Sequence, residues 1–205
     1  MSLDPRADYR YLDDMATTRQ LMDADAFLAR PERPFHEELI DGRIVVSEAT
    51  PRHQLALTQI LVAINVWTDG DAGRGAVTPP IDLRISDRTV LAPDVVWYAD
   101  ASRADLDAPA QLRPPDLAAE IRSPSTWRYD VGVKRERYEG WGVGELWLVD
   151  GDSRSVLVNR RSRPDAAGFD VALELGEDEV LTSPGLPGFE LAVRAIFVVP
   201  GEHQK

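Results

Sequence analysis

Apolar residues along this chain recur with two different periods, and the switches between them mark its elements. In RHQLALTQILVAINVW, following Thr50-Pro51, Leu57, Ile60, Leu61, Ile64 and Trp67 fall three or four residues apart, the spacing of one helical face. Gly70, Gly73 and Gly75 end that helix. Elsewhere the period is two. EELIDGRIVVSE predicts a hairpin turning at Asp41-Gly42. AVTPPIDLRIS is extended but interrupted by Pro79-Pro80, which places it at a sheet edge. VLAPDVVWYAD reads as one buried strand through Val95 to Tyr98, followed by a polar loop over 100–115. In DLAAEIRS, Leu117, Ala119 and Ile121 share one face, and Ala118, Glu120 and Arg122 share the other.

A helix over 131–141 and the apolar strand GELWLVD come next, so strand, helix and strand follow closely enough to predict a crossover within a mixed sheet. SVLVNR, FDVALEL and EVLTS alternate between turn residues and predict antiparallel strands; LAVRAIF predicts a short closing helix. Near the start, Thr17 or Thr18 caps a short helix carrying Leu21, Met22, Phe27 and Leu28. Residues 1–16 have no apolar periodicity and read as a disordered tail, leaving 17–205 as a single α/β domain.

Composition narrows the chemistry. No apolar run reaches the roughly 18 residues of a membrane span, and the acidic N-terminus is neither a signal nor a transit peptide. Cysteine is absent, which excludes disulfides, thiolate metal sites and cysteine nucleophiles and agrees with a cytoplasmic setting. The net charge of −12 argues against a broad nucleic-acid-coating surface. Between Arg122 and Arg137 the balance reverses, with Arg122, Arg128, Lys134, Arg135 and Arg137 against Asp130 and Glu136. Among these, Lys134 stands out: all but two of the 23 basic residues are arginine, and the other lysine is the terminal Lys205. A lysine kept against that bias offers a compact ammonium whose pKa burial can lower toward neutrality, as a guanidinium's cannot be.

Two carboxylates sit among apolar neighbours, Asp94 ahead of Val95-Val96-Trp97 and Glu120 within Leu117 to Ile121. Burying either is costly without a counter-charge. A divalent cation held by hard oxygen ligands, Mg²⁺ or Mn²⁺, supplies one, and a nearby lysine completes a set able to hydrolyse a phosphodiester.

APDVVWY followed by PDLAAEIRSPSTWRYDVGVKRERYEGWGVGELWLVD resembles the core of the Uma2 family, also called DUF820, within the PD-(D/E)XK nuclease superfamily. An early EELIDGRIV with TPRHQ and a late LPGFELAV extend the resemblance over roughly residues 17–197. It implies a restriction-endonuclease-like α/β fold, a mixed β-sheet core flanked by helices with additional antiparallel strands. It also implies Mg²⁺- or Mn²⁺-dependent cleavage of DNA, leaving a 5′-phosphate. Carried over, Asp94, Glu120 and the Ile121 carbonyl are the metal ligands, and Lys134 activates or positions the attacking water. The plainest superfamily pattern puts lysine two residues after the acid, where this chain has Arg122, so Lys134 is the displaced lysine reaching in from the helix.

Four further residues are auxiliary candidates: Glu38 in the first hairpin, His53 at the start of the long helix, Arg122 as a phosphate fork, and Asp130. Asp130 pairs with Lys134 or caps the helix, capping being the preferred reading. Ser123, Trp127 and Arg128 are candidate nucleic-acid contacts, with packing the preferred role for Trp127. Trp147 is read as core. Paired active sites on a homodimer would suit cleavage of both strands. The competing readings are a non-catalytic metal- or nucleic-acid-binding scaffold and a small-molecule phosphohydrolase.

Overall fold

The computed structural model describes residues 21–31, 37–199 and 201. The tail read at 1–16 and the caps read at Thr17 and Thr18 lie outside the described residues. The short helix α1 (Ala24–Leu28) is capped instead by Asp23, whose side chain accepts from the Ala26 N–H at 2.7 Å. The first hairpin forms as its sequence predicts. β1 (Glu37–Ile40) and β2 (Arg43–Val46) pair antiparallel across Asp41 (φ 49°) and Gly42 (φ 82°), the two left-handed residues of a tight hairpin turn. Helix α2 spans Pro51–Asp69, with Thr50 as its cap and Pro51 in the first turn, where the missing N–H costs nothing. Its inward face buries Ala56, Leu57, Ile60 and Ile64.

β3 (Ala76–Thr78) is an edge strand, and Pro79-Pro80 close it. β4 (Leu83–Ser86) is the edge of a second sheet. The stretch expected to be one strand is two: β5 (Thr89–Leu91) and β6 (Val95–Tyr98) belong to different sheets. The physical reason lies in the break itself. Pro93 has no N–H to give a ladder, the Ala92 N–H goes to Glu38 Oε1 at 2.8 Å, and Asp94 turns its carboxylate onto the Ile121 N–H at 2.7 Å. In the following loop Arg103 pairs with Asp116 at 2.8 Å.

β7 (Leu117–Ile121) runs parallel to β8 (Glu145–Asp150), joined by a helical crossover. That crossover is broken rather than continuous. α3 (Trp127–Tyr129) leads into a wide turn over Asp130–Lys134, where Gly132 leaves the helix (φ −109°, ψ −108°), and α4 (Arg135–Trp141) follows. β9 (Ser155–Arg160) and β10 (Val171–Leu175) extend the sheet antiparallel. β11 (Val180–Ser183) and β12 (Leu186–Ala192) form a separate hairpin, and α5 (Val193–Ile196) closes the chain. Leu191 and Ala192 finish β12, so the closing helix is shorter than LAVRAIF.

The architecture is a six-stranded mixed sheet, β10-β9-β8-β7-β6-β3, beside a four-stranded sheet, β2-β1-β5-β4. One face of the larger sheet packs Val95, Leu117, Ala119 and Trp147 against Ile60 and Ile64 of α2 and Val193 and Ile196 of α5. The other packs Ala118, Leu146 and Leu148 against Tyr138 of α4 and Ile40, Leu83 and Leu91 of the smaller sheet. Fully burying each of these large side chains stabilises the fold by roughly 1.5–3 kcal/mol. Among the described residues no helix is long and apolar enough to cross a membrane. The mixed α/β fold expected from the sequence is therefore the fold observed.

Candidate functional site

Five segments of the chain meet where β6 leaves the chain break and β7 ends. The register Val95↔Ala119 brings Asp94 beside Glu120 and Ile121. β1 presents Glu38, α2 presents His53 from its first turn, and the broken crossover presents Asp130 and Lys134. All of these residues line one cavity of about 540 Å³.

Lys134 is its electrostatic centre. Its Nζ lies 2.7 Å from Glu120 Oε1, 2.9 Å from Glu38 Oε2 and 3.0 Å from Asp130 Oδ1, and the residue is only 3% exposed. The Asp130 contact is an ion pair by distance, but its angle does not make Oδ1 a hydrogen-bond acceptor. Burial alone would depress the ammonium's pKa. The Glu120, Glu38 and Asp130 carboxylates outweigh it and hold Lys134 well above the usual lysine value. The expectation of a lysine tuned toward neutrality is thus reversed: this side chain is a fixed cation.

The carboxylates show the complementary strain. Burial pushes Glu120 well above its usual value, Lys134 pulls it back only in part, and Asp130, Glu38 and Asp94 add to the rise. Asp130 is raised for the same reasons, burial first, with Lys134 opposing. Four acids thus gather around one ammonium, Glu38, Glu120 and Asp130 in contact with it and Asp94 beside them. Asp94 is held separately, with Oδ2 accepting from the Ile121 N–H and lying 3.2 Å from His53 Nε2. The Nδ1 atom of His53 is buried without a hydrogen-bond partner among the described residues.

The donor set suits a hard divalent cation in kind, being carboxylate oxygens in excess of the local positive charge. It does not form a cage. Among the described residues no three His, Asp or Glu side chains are grouped to enclose an ion. A cation bound through one or two carboxylates and otherwise by water, as is usual for Mg²⁺, is compatible with that arrangement.

The remaining sequence candidates are placed as follows. Arg122 does not line the cavity. Its guanidinium pairs with Asp150 at 2.8 Å and Asp152 at 2.9 Å and lies over the Trp127 ring. Asp130 caps no helix; α3 is preceded by Thr126 without a side-chain cap, and Asp130 turns inward to Lys134. Ser123 is buried and bonded to Thr126 (2.6 Å) and Ser47 (3.0 Å), a hydroxyl cluster whose Thr126 and Ser47 reach the cavity wall. Trp127 is half-buried against the α4-side core, and Arg128 is exposed, stacked over Tyr129. Trp147 lies in the core, as read, its Nε1 donating to Glu145 Oε1 at 2.6 Å. The locally basic segment is largely spent internally: Arg135 pairs with Glu139 and Arg137 with Asp41, so of its five cations Arg128 alone has no carboxylate partner among the described residues.

One participant was missed by sequence reasoning. Tyr138 donates its hydroxyl to Glu120 Oε1 at 2.5 Å from complete burial. Its spacing of four from Lys134, one helical turn, was the available signal.

Comparison with known proteins agrees with this fold. A crystal structure of a putative nuclease belonging to DUF820 from Anabaena variabilis superposes with a TM-score of 0.72 at 21% identity, covering 86% of this chain and 97% of that one. A search of curated proteins found no match. The Uma2 family, described as putative restriction endonuclease, matches residues 24–194. Spanning the strand break at Asp94, β7, the broken crossover and β8, that match covers every element of the cavity, and the chain belongs to the Uma2 family.

Proposed function

We propose that this protein is a divalent-metal-dependent nuclease that hydrolyses DNA phosphodiester bonds in the cavity around Lys134. The observation that carries this reading is the surplus of buried carboxylate: four acids against one ammonium, in a site with room for a substrate group. The family description and the nuclease named for the Anabaena structure support it. Asp94, Glu120 and the Ile121 carbonyl would hold the cation, Mg²⁺ or Mn²⁺. When bound, the cation neutralises charge on the phosphodiester and lowers the pKa of its water.

The chain's own residues supply the rest. Lys134, fixed as a cation, stabilises negative charge building on phosphorus oxygens and orients a water by donating to it; it does not act as the base. Glu38 and Asp130 hold the ammonium in place. His53 buttresses Asp94 at Oδ2, the oxygen that also accepts from the Ile121 N–H, and the Ser47–Ser123–Thr126 hydroxyls offer neutral donors at the wall.

A labelled duplex oligonucleotide with Mg²⁺ or Mn²⁺ tests the reading. Cleavage leaving a 5′-phosphate is expected from the wild type and none from Asp94→Ala or Glu120→Ala; equal turnover in those variants would sink it. We also propose that two copies associate so that each strand meets one site. A single-chain mass by light scattering would remove that element alone.

A second reading has one observation in its favour. Among the described residues the cavity is lined by no arginine, and Lys134 is already engaged by carboxylates, which leaves little positive charge there for a duplex. A smaller phosphodiester would need none, and hydrolysis of bis(p-nitrophenyl) phosphate without DNA cleavage would favour it.

A further inference from the structure

The proposed chemistry assigns Tyr138 no part, yet its hydroxyl reaches the same oxygen as the proposed catalytic lysine. Tyr138 Oη donates to Glu120 Oε1 at 2.5 Å and Lys134 Nζ lies 2.7 Å from that atom. The hydroxyl and the ammonium therefore both bear on Oε1, and among the described residues no hydrogen bond is made to Oε2. The two side chains are one turn apart, Tyr138 within α4 and Lys134 at its N-cap, so the start of α4 delivers both. Glutamate has three rotatable bonds, and a free carboxylate at a strand end would sample several orientations. A ligand's orientation is set by the groups that hydrogen-bond it from behind.

We propose that Tyr138 is a positioning residue that, together with Lys134, clamps Glu120 through Oε1 and leaves Oε2 as the oxygen presented to the divalent cation. The inference rests on the metal-nuclease reading above. The hydroxyl suits this task because it is a neutral donor: it fixes the carboxylate without adding a second positive charge that would compete with the cation. Its ring is anchored against Ala118, Leu146 and Leu148, so the clamp is as stiff as the core that carries it.

A merely structural tyrosine, placing its ring in the core and its hydroxyl on any convenient acceptor, predicts a different result. Tyr138→Phe keeps the ring and removes only the donor. Mn²⁺ binding is titrated by the paramagnetic resonance signal of the free ion in wild type, Tyr138→Phe and Glu120→Gln, with melting curves on the same samples. The clamp predicts that Glu120→Gln loses the site, whereas Tyr138→Phe weakens Mn²⁺ by about 10–100-fold, the usual effect of removing a group that orients a ligand, with its melting temperature little changed. Tyr138→Met, apolar but smaller than the ring, also lacks the donor and is expected to weaken Mn²⁺ to the same degree while lowering the melting temperature through the void it leaves.

Wild-type affinity in Tyr138→Phe, with Glu120→Gln still impaired, would overturn the clamp and leave the metal reading standing. Absence of Mn²⁺ binding in the wild type, or unchanged binding in Glu120→Gln, would overturn both.

Discussion

Lys134 balances three carboxylates within 3.0 Å, and removing it exposes what it offsets. Truncating one partner of a buried ion cluster leaves uncompensated charge, and Lys134→Ala is expected to cost about 3–5 kcal/mol at neutral pH, read by urea denaturation without metal. The sign with pH follows from the raised acids. Glu120 and Asp130 bind protons more tightly folded than unfolded, so their favourable contribution is complete below their usual values of 4.5 and 3.8 and is lost as pH rises through their higher folded values. Without the ammonium those folded values rise further. The Lys134→Ala deficit should therefore be largest near neutrality and shrink toward pH 4; a deficit that grows on acidification would contradict the charge assignment.

At this scale much of the site was legible. A lone lysine among arginines, and two acids in apolar strands, named its main members. The state of Lys134 was not, because it depends on Glu38, 96 residues away in sequence, and on an inward Asp130 that local spacing assigned to a cap.

Elements carry the site by where they break. The interruption at Ala92-Pro93-Asp94 moves the chain between sheets and frees Asp94 to face the cavity. Gly75 does similar work at the outer edge, where φ is +75° and a Cβ would stand 1.9 Å from the Tyr98 carbonyl oxygen. Gly75→Ala is expected to cost about 1–3 kcal/mol from the left-handed backbone alone, more with the clash, and to lower the thermal midpoint accordingly. An unchanged melting curve would contradict the close approach of β3 to β6.

Periodicity located nearly every strand and the long helix, since two and 3.6 are local properties. It could not show that VLAPDVVWYAD splits between sheets, nor that the 131–141 helix begins earlier and opens at Gly132. Both outcomes are decided by partners elsewhere, namely Glu38 on the Ala92 N–H and the carboxylates gathered at Lys134.

The whole molecule carries a net charge of −12 and an acidic cavity, and most arginines of its basic segment are already paired. A polyanion approaching that cavity meets repulsion unless a cation intervenes. Duplex DNA should consequently fail to shift with the Glu120-intact protein in EDTA and bind when Ca²⁺, a non-hydrolytic substitute, is added. Equal binding in EDTA would show a metal-independent surface.

The central claim, that the buried carboxylates and Lys134 form a metal-dependent phosphodiester-cleaving centre, is met most directly by nicking of supercoiled plasmid. Wild type, Glu120→Gln and Lys134→Ala would be compared from matched preparations, with and without Mg²⁺ or Mn²⁺. Metal-dependent nicking by the wild type, lost in both variants, is the result predicted here; nicking of equal rate in all three, or none by a wild type that binds metal, would contradict it.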